Sequence, residues 1–453
     1  MIAGVAAGHP ATAAAGAEVL AEGGTAADAA VAACLASCVA ETVMTGLLGG
    51  GFALYVDPAR GTVRNLDCFV TVPTGEGGPM ERLQVPFGEE LVHYAIGAAS
   101  CAVPGLPAGL DLLWREHGRR PWPRLVEPAL RLARDGVPMP AAHAAGLRML
   151  APVMTMREGE AIYAPGGHLL AEGELLRQPG LVAALELVRD EGIRTFYSGT
   201  IANALLALMA ERGGAVSAAD LAGYEAVWTD PVEVAFAGRR LLTRDGLASV
   251  PRALARFDPA GGPAALLAAL EPADGAGHTT NITVVDREGA ACVLTTSLGL
   301  GSGDWLPGLD LHLNSMLGEV DLLRGPLETG GRMQSMMAPS IALDANGLLL
   351  AIGAAGGTRL RTALLSVAVG ILDEGLEPQA AVDRPRLHPA GDVVNAEPGV
   401  DAEALEALEA AGRTVRRWPE RHHYFGGVSA VARSGAAADP RRSGSALVVP
   451  PAS

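Results

Sequence analysis

The chain has 453 residues, 49% hydrophobic and only 4% aromatic, with 58 glycines, which describes a globular protein cored by Ala, Leu and Val and excludes disordered and fibrous classes. Fifty acidic residues against 34 basic ones leave a net charge of −16 without any basic run, so nucleic acid and anionic membrane surfaces are poor partners. Five scattered cysteines lacking metal spacing (Cys34, Cys38, Cys68, Cys101 and Cys292) read as reduced, buried small hydrophobes.

The opening residues have no basic n-region and no continuous apolar core, which argues against a secretory signal and for a cytoplasmic protein. From Pro10 to about Ala40 an Ala-rich run is broken at Gly23-Gly24. Thr25 followed by Asp28 is a capping signal, and two packed Ala-lined helices are expected. Residues 46–56 turn through glycines into a strand, with 62–70 as its hairpin partner. Between Pro104 and about Glu225, apolar residues at three- and four-residue spacing and terminal glycines predict a run of helices, Ser217 opening a short capped one. Strands return over 231–243, before a Gly/Pro/Ala-rich connector, 258–277, holding one helix.

After Thr279 the texture changes. "NITVVD", "ACVLTTSL", "LDLHLN", "PSIALDANGLLLAIG" and "VSAVAR" read as short strands, with "RTALLSVAVGILDEG" and "DAEALEALEAAG" as helices between them. Helices early and strands from both halves predict a single layered α+β body.

Three stretches carry candidate chemistry. In "GAGHTTNITVVD", Gly275 to Asp286, glycines lead into two threonines and a strand. A loop ending and a strand beginning would explain it. So would a cut before Thr279, because a threonine hydroxyl needs a base beside it and the α-amine of a first residue supplies one. In "GAAGGTR", Gly353 to Arg359, a strand ending in paired glycines presents unobstructed backbone N–H groups, suited either to a tight strand-to-helix turn or to a developing oxyanion. In "LNSMLGE" and "RMQSMMAPS", Asn314, Glu319 and Ser335 are polar residues in apolar surroundings, either satisfied turn residues or substrate contacts, and the methionines read as core or pocket filler.

Together with "AAGHPATAAAGAEVLAEGGTAADAAVAA", "GLLGGGFALYVD", "FYSGTIANALLALMAERGG" and "AADPRRSG", these segments resemble the γ-glutamyltransferase (γ-glutamyltranspeptidase) family over nearly the whole chain. The resemblance implies an αββα N-terminal-nucleophile hydrolase fold and self-cleavage at His278–Thr279, giving a large region, 1–278, and a small region, 279–453, that stay together. By position, Thr279 matches the nucleophile, Gly356 and Gly357 the oxyanion pair, and Ser297 a supporting threonine. Asn314, Glu319 and Ser335 match substrate-contacting positions. The implied partner is a small γ-glutamyl or related amide, with no cofactor and no metal.

The departures are informative. Phe69 of "CFVTVP" stands where the family holds the substrate carboxylate with arginine, which removes a charge-assisted contact of order 2 kcal/mol. One serine of a pair is replaced by Met336, an asparagine by Gly299, and an aspartate by Glu319. The connector before Thr279 is short. Three readings stay open from the sequence: a γ-glutamyl amide hydrolase with glutathione not assured, an uncut and catalytically silent relative that binds or scaffolds, and a hydrolase of a non-glutamyl substrate in specialised metabolism.

Overall fold

Alternation along the strands divides the apolar side chains among three cores and so sets the layering. In the computed structural model residues 2–87, 90–258, 261–270, 279–323 and 325–451 are described. Successive residues of a strand point to opposite faces. Ile282 and Val284, with Cys292 and Leu294, therefore face a helical layer, while Val285, Ala291 and Val293 turn toward a second sheet. In that second sheet Ala351 and Val431 face the first, and Leu350, Ile352, Val428 and Ala430 pack under the helix Arg359–Leu372. The result is helix, sheet, sheet, helix: the αββα sandwich that the resemblance implies.

The first sheet has seven strands in the order Ser445–Val449, Ala3–Ala7, Thr280–Val285, Ala291–Ser297, Gly50–Asp57, Thr62–Cys68 and Val227–Thr229. The second has six: Ala436–Ala438, Gly427–Ala432, Gly347–Ala355, Ser340–Asp344, Arg239–Thr243 and Val232–Phe236. Both sheets contain strands from before and after Thr279, interleaved in the first and joined at the pairing of Ser340–Asp344 with Arg239–Thr243 in the second. Thr280–Val285 pairs antiparallel with Ala3–Ala7 on one side and with Ala291–Ser297 on the other.

The helices Pro10–Ala21 and Ala26–Ala40 pack on each other and on the first sheet. Thr25 and Asp28 close a reciprocal capping box at the start of the second, and Ser217 with Asp220 does the same for Ala218–Ala222. Every residue of Ala26–Ala40 is buried, which its Ala-rich composition permits by allowing close approach on all sides. The five cysteines are free and buried. Among the described residues, no helix is long and apolar enough to cross a membrane.

One expectation fails in part. "LDLHLN" contributes only Leu311–His312, paired with Trp305–Leu306, and then leaves the ladder. The Asn314 amide bonds the backbone of Leu48 and Ala102 instead, so side-chain bracing replaces strand pairing. The 258–277 connector holds the helix Gly262–Leu270, and its remainder from 271 lies outside the described residues. The hairpin Glu81–Phe87 with Glu90–Ile96 and the edge strand Ser445–Val449 were not anticipated.

Candidate active site

Strand register creates the site. Thr280 pairs with Thr296, so Thr279, just before the first strand, stands opposite Ser297, which ends the second. Thr279 is buried, 5% exposed. It lies between two small cavities. One is lined by Thr279, Ser297, Glu319, Ser335 and Gly357, with Phe69 and methionines completing an apolar wall. The other, on the opposite side, brings Glu41, His143 and Arg442 to Thr279 and Thr280. The first measures about 30 Å³, room for a water or two.

Five residues singled out in the sequence thus meet at one cavity. Gly357 reaches it from the second sheet: Gly347–Ala355 ends at Gly356 and Gly357, whose φ values are +124°, which calls for glycine, and +60°, in the left-handed region that glycine enters without strain. A β-carbon on Gly356 would stand 2.9 Å from the Gly426 Cα and 3.0 Å from an Arg442 nitrogen. The helix Arg359–Leu372 follows directly, so its N-terminus, which favours negative charge, opens beside the cavity.

Asn314 is not brought to the cavity. Its Nδ2 donates to the carbonyls of Leu48 (2.9 Å) and Ala102 (2.8 Å), and its Oδ1 accepts from the Ala102 and Met316 N–H groups. Those bonds tie the 314–319 turn to the loops that precede the strand Gly50–Asp57 and the helix Leu106–His117. His278 lies outside the described residues, as do the glycines before it.

Glu319 is 3% exposed, and burial pushes its carboxyl up to about 8. Its Oε1 accepts from the Leu300 N–H at 2.7 Å and from the Ser315 hydroxyl at 3.2 Å. Ser297 Oγ accepts from the Gly299 N–H at 2.8 Å, and Ser335 Oγ from the Met337 N–H at 3.2 Å. Phe69 is fully buried and stacks on Phe52 with centroids 5.3 Å apart.

The second cavity was missed from the sequence. Glu41 accepts from the hydroxyls of Thr12 (2.7 Å) and Thr280 (2.5 Å), and burial pushes it up to about 7. A carboxylate poised near neutrality one residue from a candidate nucleophile is a feature of proton-transfer sites. Arg442 is buried beside it, pushed down to about 10 chiefly by desolvation, and His143 is pushed down to about 3 by the same cause. The only signal in the sequence was a lone carboxylate in "CVAETVM", an otherwise uncharged run. Among the described residues, no group of three or more His, Cys, Asp or Glu side chains is placed to hold a metal ion.

A buried threonine at the head of a central strand in an αββα sandwich, facing a serine and a strand-end glycine pair, defines an N-terminal-nucleophile type of hydrolase. The family model for Gamma-glutamyltranspeptidase matches residues 12–257 and 252–449, and the chain belongs to that family. It is 27% identical to the glutathione hydrolase proenzyme 1 of Schizosaccharomyces pombe, over 92% of this chain and 79% of that protein. It is 28% identical to the acylase ACY 1 proenzyme of Pseudomonas sp. (strain SE83), over 94% of this chain and 88% of that protein. The crystal structure of a cephalosporin acylase from Bacillus halodurans has the same fold, with a TM-score of 0.80 and 22% identity over 98% of this chain and 95% of that one. The chain is accordingly an enzyme of the γ-glutamyltransferase-like, amide-hydrolysing class.

Proposed function

We propose that the chain is a self-processing threonine hydrolase that cleaves a γ-glutamyl or related amide through an acyl-enzyme intermediate. The observation that carries this reading is the single cavity shared by Thr279, Ser297, Glu319, Ser335 and Gly357. The Thr279 hydroxyl adds to the carbonyl carbon of residue 278 and the peptide nitrogen leaves, so the peptide bond becomes an ester. That step frees the Thr279 α-amine, and water then hydrolyses the ester, which releases a carboxylate on 278 and restores the Thr279 hydroxyl. That amine then serves as the base for the same hydroxyl when it attacks the substrate amide. The backbone at Gly356 and Gly357, with the helix N-terminus behind it, stabilises the oxyanion. One donor of this kind is worth about 3–4 kcal/mol. Ser297 braces the nucleophile.

The two fragments, 1–278 and 279–453, stay together after cleavage. Thr280–Val285 is hydrogen-bonded to Ala3–Ala7, and Ala291–Ser297 to Gly50–Asp57, so separation would break the first sheet at its centre. Relatives named as glutathione hydrolases and as acylases support an amide substrate without choosing among amides. Glu319 is the residue to meet a substrate ammonium group. Phe69 leaves the cavity without the arginine of glutathione-using members, which favours another acyl group. The thin polar lining favours hydrolysis over transfer to an acceptor amino acid.

The test is the denatured intact mass of freshly purified protein beside a Thr279→Ala variant. Two fragments meeting at Thr279, absent in the variant, are expected. A single full-length species stable over days would overturn the reading and leave a silent, ligand-binding relative.

A further inference from the structure

Beyond Met336, which lines the nucleophile cavity, lies a larger hollow of about 570 Å³ that Met336 also lines. The two are joined by structure as well as by that side chain. The Arg244 guanidinium in the hollow donates to the carbonyls of Ser335 (3.0 Å) and Met337 (3.2 Å), and both of those residues line the smaller cavity. Met336 has three rotatable bonds and an unbranched thioether, so the wall it forms is soft.

The charge of the hollow runs against that of the chain. Four arginines, Arg244, Arg252, Arg256 and Arg361, face it with two aspartates, Asp245 and Asp321, whereas the whole chain has 34 basic residues against 50 acidic. Two of the arginines have structural work. Arg244 lies 3.6 Å from the Phe52 ring centroid and holds the 335–337 backbone, and Arg361 donates to the carbonyls of Ala248 and Leu270. Arg252 and Arg256 do not. They lie one turn apart on the helix Val250–Arg256, both exposed, and among the described residues neither guanidinium makes a hydrogen bond or an ion pair. Like charges at that spacing repel, so helix stability does not account for them. A bound anion does, since guanidinium forks grip a carboxylate with charge-assisted hydrogen bonds.

The position of the hollow also bears on Phe69. That ring stacks on Phe52, and Arg244 lies over Phe52 in turn. A guanidinium thus stands behind the aromatic pair rather than at the Phe69 position itself.

We propose that this arginine-lined hollow is a substrate subsite that seats a carboxylate. The acyl donor is an amide of a dicarboxylic acid whose free carboxylate reaches past Met336 to Arg252 and Arg256, with Arg244 and Arg361 adding to the positive field. This rests on the reading of Thr279 as the nucleophile, but its test does not need a cut chain.

The experiment is calorimetric titration of the full-length Thr279→Ala protein with glutarate and adipate, and with neutral glutaramide as control. The dicarboxylates are expected to bind and to weaken with added salt, and glutaramide is expected not to bind. In Arg252→Gln/Arg256→Gln, both positions being exposed, dicarboxylate affinity should fall at least tenfold. Arg252→Lys/Arg256→Lys should retain an intermediate affinity, because the charge remains and the fork is lost. Equal affinity in parent and glutamine variant, equal binding of glutaramide, or no binding of either dicarboxylate would overturn the proposal. Cleavage of the wild-type chain is scored separately by mass, so failure of the subsite and failure of the nucleophile reading give different results.

Discussion

Gly299 and Glu319 fit each other closely: a β-carbon on Gly299 would stand 2.4 Å from Glu319 Oε1, and Gly299 holds φ at +70°. The family resemblance sets Gly299 at an asparagine position and Glu319 at an aspartate position, and the space an asparagine side chain would take is filled by the longer acid. Gly299→Ala is therefore expected to destabilise by about 1–3 kcal/mol, from backbone strain and displacement of the carboxylate. Gly299→Asn should be equally harmful alone. Adding Glu319→Asp to it should recover much of the loss, because asparagine tolerates left-handed backbone and the shorter acid vacates the space. Thermal unfolding of the four proteins measures the coupling.

Ser297 accepts the Gly299 N–H at 2.8 Å in a buried setting. Ser297→Ala leaves that N–H without its acceptor, at an expected cost of about 1–3 kcal/mol, and should slow fragment appearance in a time course of intact masses. Ser297→Thr keeps the hydroxyl and should process at a rate close to that of the parent. If alanine and serine process equally fast, the brace is dispensable.

Glu41 and Glu319 are both pushed up by burial, to about 7 and about 8, from an ordinary value of 4.5. The folded state thus holds protons that the unfolded state has already released. Stability should fall as pH rises from about 4.5, and stop falling above about 8, where both states are ionised. The part due to Glu41 is on the order of 3 kcal/mol. Denaturant titrations at pH 5, 6, 7 and 8 should show the decline, and Glu41→Gln should flatten it below pH 7. Affinity for an ammonium-bearing donor should rise over the range in which Glu319 ionises.

Phe69 is fully buried against Phe52, with the Arg244 charge over the next ring. Phe69→Arg, which reinstates the family residue, should destabilise by more than about 4 kcal/mol rather than confer glutathione hydrolysis. The new guanidinium would lose the aromatic stack and face Arg244 without a dedicated partner. Arg244→Met in the same chain should recover part of the stability. Chemical denaturation and a glutathione hydrolysis assay decide this, and a stable, glutathione-active Phe69→Arg protein would refute it.

Much of the architecture was legible because it is written locally. Alternation at Ile282, Thr283, Val284 and Val285 announces a strand with two buried faces, and Thr25 with Asp28 announces a helix start, each through neighbours a few residues away. Thr279, Ser297, Glu319, Ser335 and Gly357 are singled out through the family resemblance, whose motifs for them all lie in one half of the chain, and the fold gathers them at one cavity. Asn314 shows the limit of that approach. Its polar character in an apolar segment was visible, but its partners Leu48 and Ala102 lie more than 200 residues earlier.

The sequence by itself determined the layered α+β class, the strand that begins at Thr280 and the glycine pair at a strand end, because side-chain period, caps and turn residues act over one or two turns of chain. Only the tertiary structure decided that Glu41 reaches Thr280, that Gly299 clears space for Glu319, and that four arginines from three segments surround one hollow. Those relations depend on strand register and on how the layers stack. Both are fixed by burial summed over the whole chain rather than by any short stretch of it.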